Sequence, residues 1–394
     1  MSGGFPARLL TLSRLLRSSA ISIKSPAKSP VVFFGAPSAL PMIKDLVDGE
    51  PIVFLDPTYK STIFLPSLAK SVLRWTLTGF SFSITHHYFV GFLKRVKPKL
   101  VMTTTDNNRD FYTARRAVSD LDARFVVFQN GNRWISQIPD EPYLKEGDVI
   151  FCLTGAYIAP FSRCARSATI LPAGTLASKL EMPDPSGLKG GGKGGFISSW
   201  RLGQLIEGQY WMEGNGSNYL HSSFYQPEIS LLKDLMLALN ELSIDLEIIG
   251  ASSAHQAEEY SFYESILGAD GWTYSPRVDA ERSYKKVPRY NALFSVDSTL
   301  GYEALSFLHR VMFLDSSALE PIRVPLGYPA EAELASSVLM LRVGEAGVWR
   351  SQINNVLKMN SDSFALQAES VVGRMSVQTD YSFMQAIVRN TWRG

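Results

Sequence analysis

The run with the greatest chemical potential is Asp297-Ser298-Thr299-Leu300-Gly301-Tyr302-Glu303-Ala304-Leu305. It follows an apolar stretch that reads as a buried strand, and it opens a helical pattern. Free N–H groups at a helix start, joined by the hydroxyls of Ser298 and Thr299, form an anion site. Glu303, about one turn further on, could accept hydrogen bonds from ribose hydroxyls. The same residues also spell an ordinary Ser/Thr cap with a capping-box-like glutamate, and spacing alone leaves both readings open.

Other strand ends carry similar chemistry. Thr103-Thr104-Thr105-Asp106-Asn107-Asn108 makes a polar pocket floor in which Asp106 could serve as a general base. Asp106 or Asn108 could equally cap the helix that begins near Arg109. Gln129-Asn130-Gly131-Asn132-Arg133 combines amides with a turn glycine, and Arg133 can reach an anion. After Phe196-Ile197 come Ser198, Ser199, Trp200 and Arg201, where Arg201 sits at the expected place of a diphosphate. Ser252, Ser253 and His255 follow a further strand. No metal-ligand spacing occurs among the five histidines, and Asp120-Leu-Asp122 precedes a strand, pointing away from any cleft. No Gly-x-Ser-x-Gly elbow supports serine hydrolysis.

Strands must position these groups. Val31–Phe34, Ile52–Leu55, Leu100–Thr103, Phe125–Phe128, Val149–Leu153 and a weaker stretch at 168–171 are continuous apolar runs. Such runs suit strands buried on both faces. Helical patterns fall near 40–48, 62–96 and 109–119. Residues 182–195 are dense in glycine and proline and read as a linker. Alternation then restarts, with strands Phe196–Ser198, Leu246–Ile249, Ala292–Val296, Val311–Leu314 and Val338–Leu341. Helices fit 228–242, 256–267, 300–308, 347–358, 363–373 and 378–391. The expected fold class is α/β, with two Rossmann-like domains facing across a cleft. The boundaries expected are a basic arm at 1–30, a first domain at 31–181, a linker at 182–195, a second domain at 196–377 and a crossover helix at 378–394.

Composition limits the rest. The 394 residues are 45% hydrophobic and 19% charged, which is globular usage with material for two cores. Cys152 and Cys164 cannot make a disulfide framework. A net charge of +2 hides an asymmetry: residues 1–105 carry 13 basic and 4 acidic side chains. No acid stands between Asp56 and Asp106. A basic first quarter suggests an anionic partner such as a membrane surface; no nucleic-acid motif is present. Trp75, Phe80, Phe82, Tyr88, Phe89 and Phe92 could form an interfacial patch beside Arg74 and Lys94, or a core helix. Residues 1–30, basic and without acids, have a transit-peptide or surface-arm composition. The expected location is cytoplasmic, peripheral at the inner membrane face.

Three motifs, Thr-Thr-Thr-Asp-Asn-Asn (103–108), Phe-Gln-Asn-Gly-Asn-Arg (128–133) and Asp-Ser-Thr-Leu-Gly-Tyr-Glu-Ala-Leu (297–305), resemble those of bacterial surface carbohydrate biosynthesis proteins of the GT-B type. The resemblance covers roughly residues 31–320. It implies a C-terminal helix that returns to the first domain. It also implies that Ser298, Thr299 and Gly301 hold donor phosphate and that Glu303 holds the ribose; the residues that follow the other strands add Ser199, Arg201 and Ser252 to the expected donor side. Asp106 as base, with Asn107, Asn108, Gln129, Asn130, Gly131 and Arg133, would form the acceptor side. The expected activity is glycosyl transfer from a nucleotide sugar to a glycan or lipid-linked acceptor, with no metal and no cofactor. Teichoic-acid glycerophosphotransferases are distantly similar, but they carry His-Gly where this chain has Asn130-Gly131. Polyol-phosphate transfer, nucleotide-sugar epimerisation and a non-catalytic scaffold role are the alternatives.

Overall fold

The computed structural model describes residues 21–56, 62–78, 83–132, 146–165, 167–176, 192–200, 210–212, 218–278, 280–296, 298–315, 331–342, 345–375 and 380–393. Two six-stranded sheets, each wholly parallel, organise them. The first runs β3 (Ile52–Leu55), β2 (Val31–Phe34), β5 (Leu100–Thr103), β6 (Arg124–Phe128), β7 (Val149–Cys152), β8 (Thr169–Pro172). The second runs β13 (Trp272–Ser275), β12 (Asp245–Ile249), β9 (Lys193–Ile197), β14 (Ala292–Ser295), β15 (Val311–Asp315), β16 (Met340–Arg342). Strand order reverses between β9 and β14 in the second sheet and between β2 and β5 in the first. Those switch points open crevices at the strand C-termini. Two short pairs complete the strands: β1 (Ile21–Ser22) with β4 (Ile63–Phe64), and β10 (Tyr210–Met212) with β11 (Asn218–Leu220).

The helices are α1 (Leu40–Leu46), α2 (Leu65–Leu77), α3 (Ile84–Val96), α4 (Arg109–Ala117), α5 (Ile158–Cys164), α6 (His221–Glu241), α7 (Gln256–Leu267), α8 (Ala280–Lys286), α9 (Thr299–Ser306), α10 (Glu331–Ala335), α11 (Ala346–Lys358), α12 (Ser361–Met375) and α13 (Tyr381–Arg393). The pattern expected over 62–96 is two helices, α2 and α3. Ser83 accepts the His86 N–H at 3.0 Å and so starts the second of them. The buried runs of β2, β5, β6 and β7 are sealed on both faces, as their continuous apolar sequence requires. Helix α13 covers one of those faces. Its Met384 and Val388 are buried among Val31, Phe33, Ile43 and Leu46, and Tyr381 donates to the Met42 carbonyl at 2.9 Å. The C-terminal helix therefore returns to the first domain.

Two expected boundaries need correction, and one open choice is decided. Residues 21–30 are not part of a separable arm, since β1 pairs with β4, and the buried Ser29 hydroxyl donates to the Val31 carbonyl at 2.9 Å. The aromatic segment at 75–92 is core where it is described: Trp75, Tyr88, Phe89 and Phe92 are buried. The glycine-rich linker does not extend to 195, because Lys193, Gly194 and Gly195 begin β9, a central strand.

Glycine is needed there for packing. A Cβ on Gly195 would lie 2.9 Å from the Tyr290 ring and 3.0 Å from Ile249 Cδ1. The Tyr290 ring cannot swing aside freely, because its hydroxyl donates to Glu247 at 2.8 Å. Gly195→Ala should therefore cost about 1–3 kcal/mol by overpacking. Chemical denaturation measures this, and an unchanged midpoint would refute it.

Candidate active site

A cleft of about 580 Å³ opens between the C-terminal ends of the two sheets. On the first-domain side it is lined by Ala36, Thr104, Gln129, Asn130, Gly131, Asn132 and Thr175. On the other side stand Ser198, Ser199 and Trp200 after β9, Gly250 and Ala251 after β12, and Arg277 after β13. Tyr284 and four residues at the start of α9, Ser298, Thr299, Leu300 and Glu303, complete the wall. Both switch points thus contribute, as topology requires.

Helix α9 presents an anion-accepting end. Ser298 is its N-cap residue, yet its side chain does not cap the helix. The Gly301 N–H donates instead to the Ser298 carbonyl at 2.9 Å, and the Ser298 hydroxyl caps neither Thr299 nor Leu300. Across the cleft, the Asn132 N–H donates to Thr299 Oγ1 at 2.9 Å. Glu303 is 3% exposed and accepts a short hydrogen bond from the Tyr284 hydroxyl. Burial lifts its carboxyl from 4.5 to about 7, against the hydrogen bonds from Tyr284 and from Thr175 of the first domain. Among the described residues, Glu303 and Arg277 are the charged groups that line the cleft. Arg277 Nη1 donates to the Ala251 carbonyl at 3.1 Å.

Two residues of the cleft wall each hold a buried donor without a partner among the described residues: Asn132 Nδ2 and Trp200 Nε1. An unmet buried donor costs roughly 1–3 kcal/mol.

Beneath the second-domain wall lies Glu259 of α7, which sequence reasoning missed. It is fully buried and accepts four hydrogen bonds: Ser198 Oγ at 2.5 Å, Ala251 N at 2.8 Å, Ser252 N at 3.0 Å and the Tyr274 hydroxyl at 2.9 Å. One carboxylate thereby ties the turn after β9 to the turn after β12. The signal available in sequence was its place on the buried stripe Glu259, Tyr263, Ile266, Leu267.

The expected site residues divide into three groups. Gln129, Asn130, Gly131, Ser199, Ser298, Thr299 and Glu303 are brought together in the cleft. Asp106, Asn107, Asn108, Ser252 and Gly301 do not line it. Asp106 is fully buried and accepts from the Asn130 N–H at 3.4 Å, so it supports the turn from below instead of facing an acceptor. Asn107 is exposed, and Asn108 caps α4 by accepting the Phe111 N–H at 3.2 Å. Ser252 is engaged with Glu259 and with the His255 N–H. Gly301 serves packing, since a Cβ there would lie 3.0 Å from Ser295 Cβ. Arg133 and Arg201 lie outside the described residues. Among the described residues no group of three His, Cys, Asp or Glu could hold a metal.

Comparison with known proteins follows the same lines. Residues 151–336, a little under half of the chain, match a family of O-antigen biosynthesis proteins. No curated protein matches the sequence. The UDP-GlcNAc 2-epimerase of Neisseria meningitidis, solved with UDP-GlcNAc, is similar in structure. Its identity is 12% and its TM-score 0.52, covering 92% of this chain and 98% of that one. MnaA of S. aureus, solved with UDP, is 11% identical with a TM-score of 0.54, covering 91% and 95%. The wall teichoic acid polymerase TagF is 9% identical with a TM-score of 0.53, covering 93% and 89%. At these identities the likeness shows the fold. The chain therefore has the two-domain GT-B fold, and through residues 151–336 it is similar to O-antigen biosynthesis proteins, as its motifs imply.

Proposed function

We propose that the chain is a glycosyltransferase that uses a nucleotide-activated sugar to build a surface polysaccharide or glycolipid. The observation that carries this reading is the start of α9. An uncapped helix N-terminus, two hydroxyls and a buried carboxyl one turn on face the interdomain cleft at a strand-order reversal. The donor diphosphate occupies the helix end, where first-turn N–H groups and Arg277 stabilise its growing charge as it leaves. Glu303 accepts the ribose hydroxyls. The reaction needs no metal, because backbone dipoles and Arg277 supply that stabilisation. Contacts between the domains at Asn132–Thr299 and Thr175–Glu303 support a closed, water-excluding state.

The test is isothermal calorimetry with uridine-, guanosine- and cytidine-activated compounds, followed by Ser298→Ala. The variant should weaken the accepted nucleotide roughly tenfold to a hundredfold, the worth of one hydrogen bond to a charged group. Unchanged affinity, or no affinity for any nucleotide, would remove the assignment. Product analysis then decides the chemistry. Phosphorus in the product with free nucleoside monophosphate would indicate polyol-phosphate transfer. An altered sugar still attached to its nucleotide would indicate epimerisation.

A further inference from the structure

The aromatic residues near the α2–α3 hairpin face inward, and a different face is left outside. On α2, Ser67, Leu68, Ser71 and Trp75 are buried. The opposite side presents Lys70, Leu73, Arg74 and Leu77, spaced i, i+3, i+4 and i+7 on one stripe. Leu73 is 60% exposed and Leu77 is 78% exposed. Leu65, at the start of the helix, is 42% exposed. Pairing of β1 with β4 sets Ile21 and Ile63 in register just before it, and Ile21 and Ile23 are 50% and 79% exposed. Helix α2 itself carries no carboxylate; Asp120 lies close enough to Arg74 to feel its charge, but it is held by Lys94 at 3.1 Å.

Protruding leucines one turn apart, flanked by cations, seek an apolar phase under a negative surface. An acidic protein would answer the charges but leave the isolated leucines without a groove. A bilayer with anionic headgroups answers both. We infer that the exposed stripe of α2 docks this protein on an anionic lipid surface.

The placement matters for the cleft. Thr78, at the end of α2, lies 3.4 Å from His87 in the first turn of α3. Thr85 in that same turn donates to Asp110 at 2.6 Å, in the first turn of α4. Helix α4 follows β5, whose next residue, Thr104, lines the cleft. The leucine end of the stripe is therefore the end nearest the interdomain opening. A docked molecule presents its cleft close to the bilayer, where a lipid-linked acceptor would be met. The docking itself does not depend on the reaction proposed above.

The experiment is co-sedimentation of the full chain with vesicles of phosphatidylcholine alone or mixed with phosphatidylglycerol. Binding is expected on the mixed vesicles, weakened by high salt, and absent on the neutral ones. Leu73→Glu combined with Leu77→Glu should reduce partitioning at least about tenfold. Lys70→Glu with Arg74→Glu should do the same. These residues are exposed and none of them lines the cleft, so melting temperature and nucleotide affinity should stay at wild-type values. The inference is overturned if wild type ignores anionic vesicles, or if the leucine pair variant binds them equally well. A dimer in gel filtration that the leucine variant dissolves would overturn it too, showing a second copy as the occupant.

Discussion

Replacing Glu303 with glutamine should make the protein more stable at pH 8 and a poorer binder of its nucleotide. Burial raises this carboxyl from 4.5 to about 7, so the folded state holds the proton more tightly than the unfolded chain. A raised acid contributes stability that is complete below pH 4.5 and is lost as pH rises through about 7. At roughly 1.4 kcal/mol per unit, the loss over that window is about 3 kcal/mol. Glutamine has nothing to ionise, and its amide oxygen can still accept the Tyr284 hydroxyl. The gap in unfolding free energy between variant and wild type should thus widen in the variant's favour from pH 4 to pH 8. Binding should move the other way. An ionised carboxylate accepts two hydroxyls, and hydrogen bonds to a charged group are worth about 1.5–3 kcal/mol, so the variant should lose tenfold or more in affinity at pH 8. An intact nucleotide sugar is the probe to use, because its diphosphate does not titrate in this range. Wild-type affinity should rise between pH 6 and pH 8, and the variant's should not. Denaturation curves whose difference stays constant across pH would show that the carboxyl is not strained by burial.

Much of this arrangement was legible in the residues because buried parallel strands leave unbroken apolar runs. The six strands of the first sheet and five of the second declare themselves that way. The sixth, Trp272–Ser275, reads Trp-Thr-Tyr-Ser and sits at a sheet edge, where half-exposure removes the need for such a run. Missing it hid Arg277, which follows it into the cleft. Glycines 194 and 195 look like a linker in composition, yet their space is filled by Leu239, Phe294 and Tyr290 from elsewhere in the chain. Reading the residues after each strand found Ser298, Thr299, Glu303, Gln129 and Asn130 correctly as cleft lining. It could not tell which side of a turn Asp106 faces, and that residue points beneath the floor. Glu259 was beyond reach for a different reason: its partner Ser198 lies 61 residues away, so only the folded chain reveals the pairing.

That pairing carries the other large effect. Glu259→Ala should destabilise the protein by about 3–5 kcal/mol, because it strands buried donors that share one carboxylate. Ser198 Oγ, the N–H groups of Ala251 and Ser252, and the Tyr274 hydroxyl all lose their acceptor together. The damage should not stop at stability. Ser198 Oγ also accepts the Trp200 N–H at 3.1 Å and the Tyr263 hydroxyl at 2.7 Å, so the turn carrying the orphaned indole depends on it. Gly250 is held so close that a Cβ would lie 2.6 Å from the Tyr274 oxygen, and the cleft wall there has no slack. Glutamine keeps the volume but turns an N–H₂ toward donors, so it should rescue little. Tyr274→Phe removes a single hydroxyl and is the informative control. It should cost about 1 kcal/mol of stability, leaving a folded protein in which nucleotide affinity can be measured. A fall in affinity there, with melting nearly unchanged, would assign Glu259 a positioning role over and above folding. If Glu259→Ala melts with wild type, the two turns are held by something else, and the cleft wall does not rest on this carboxylate.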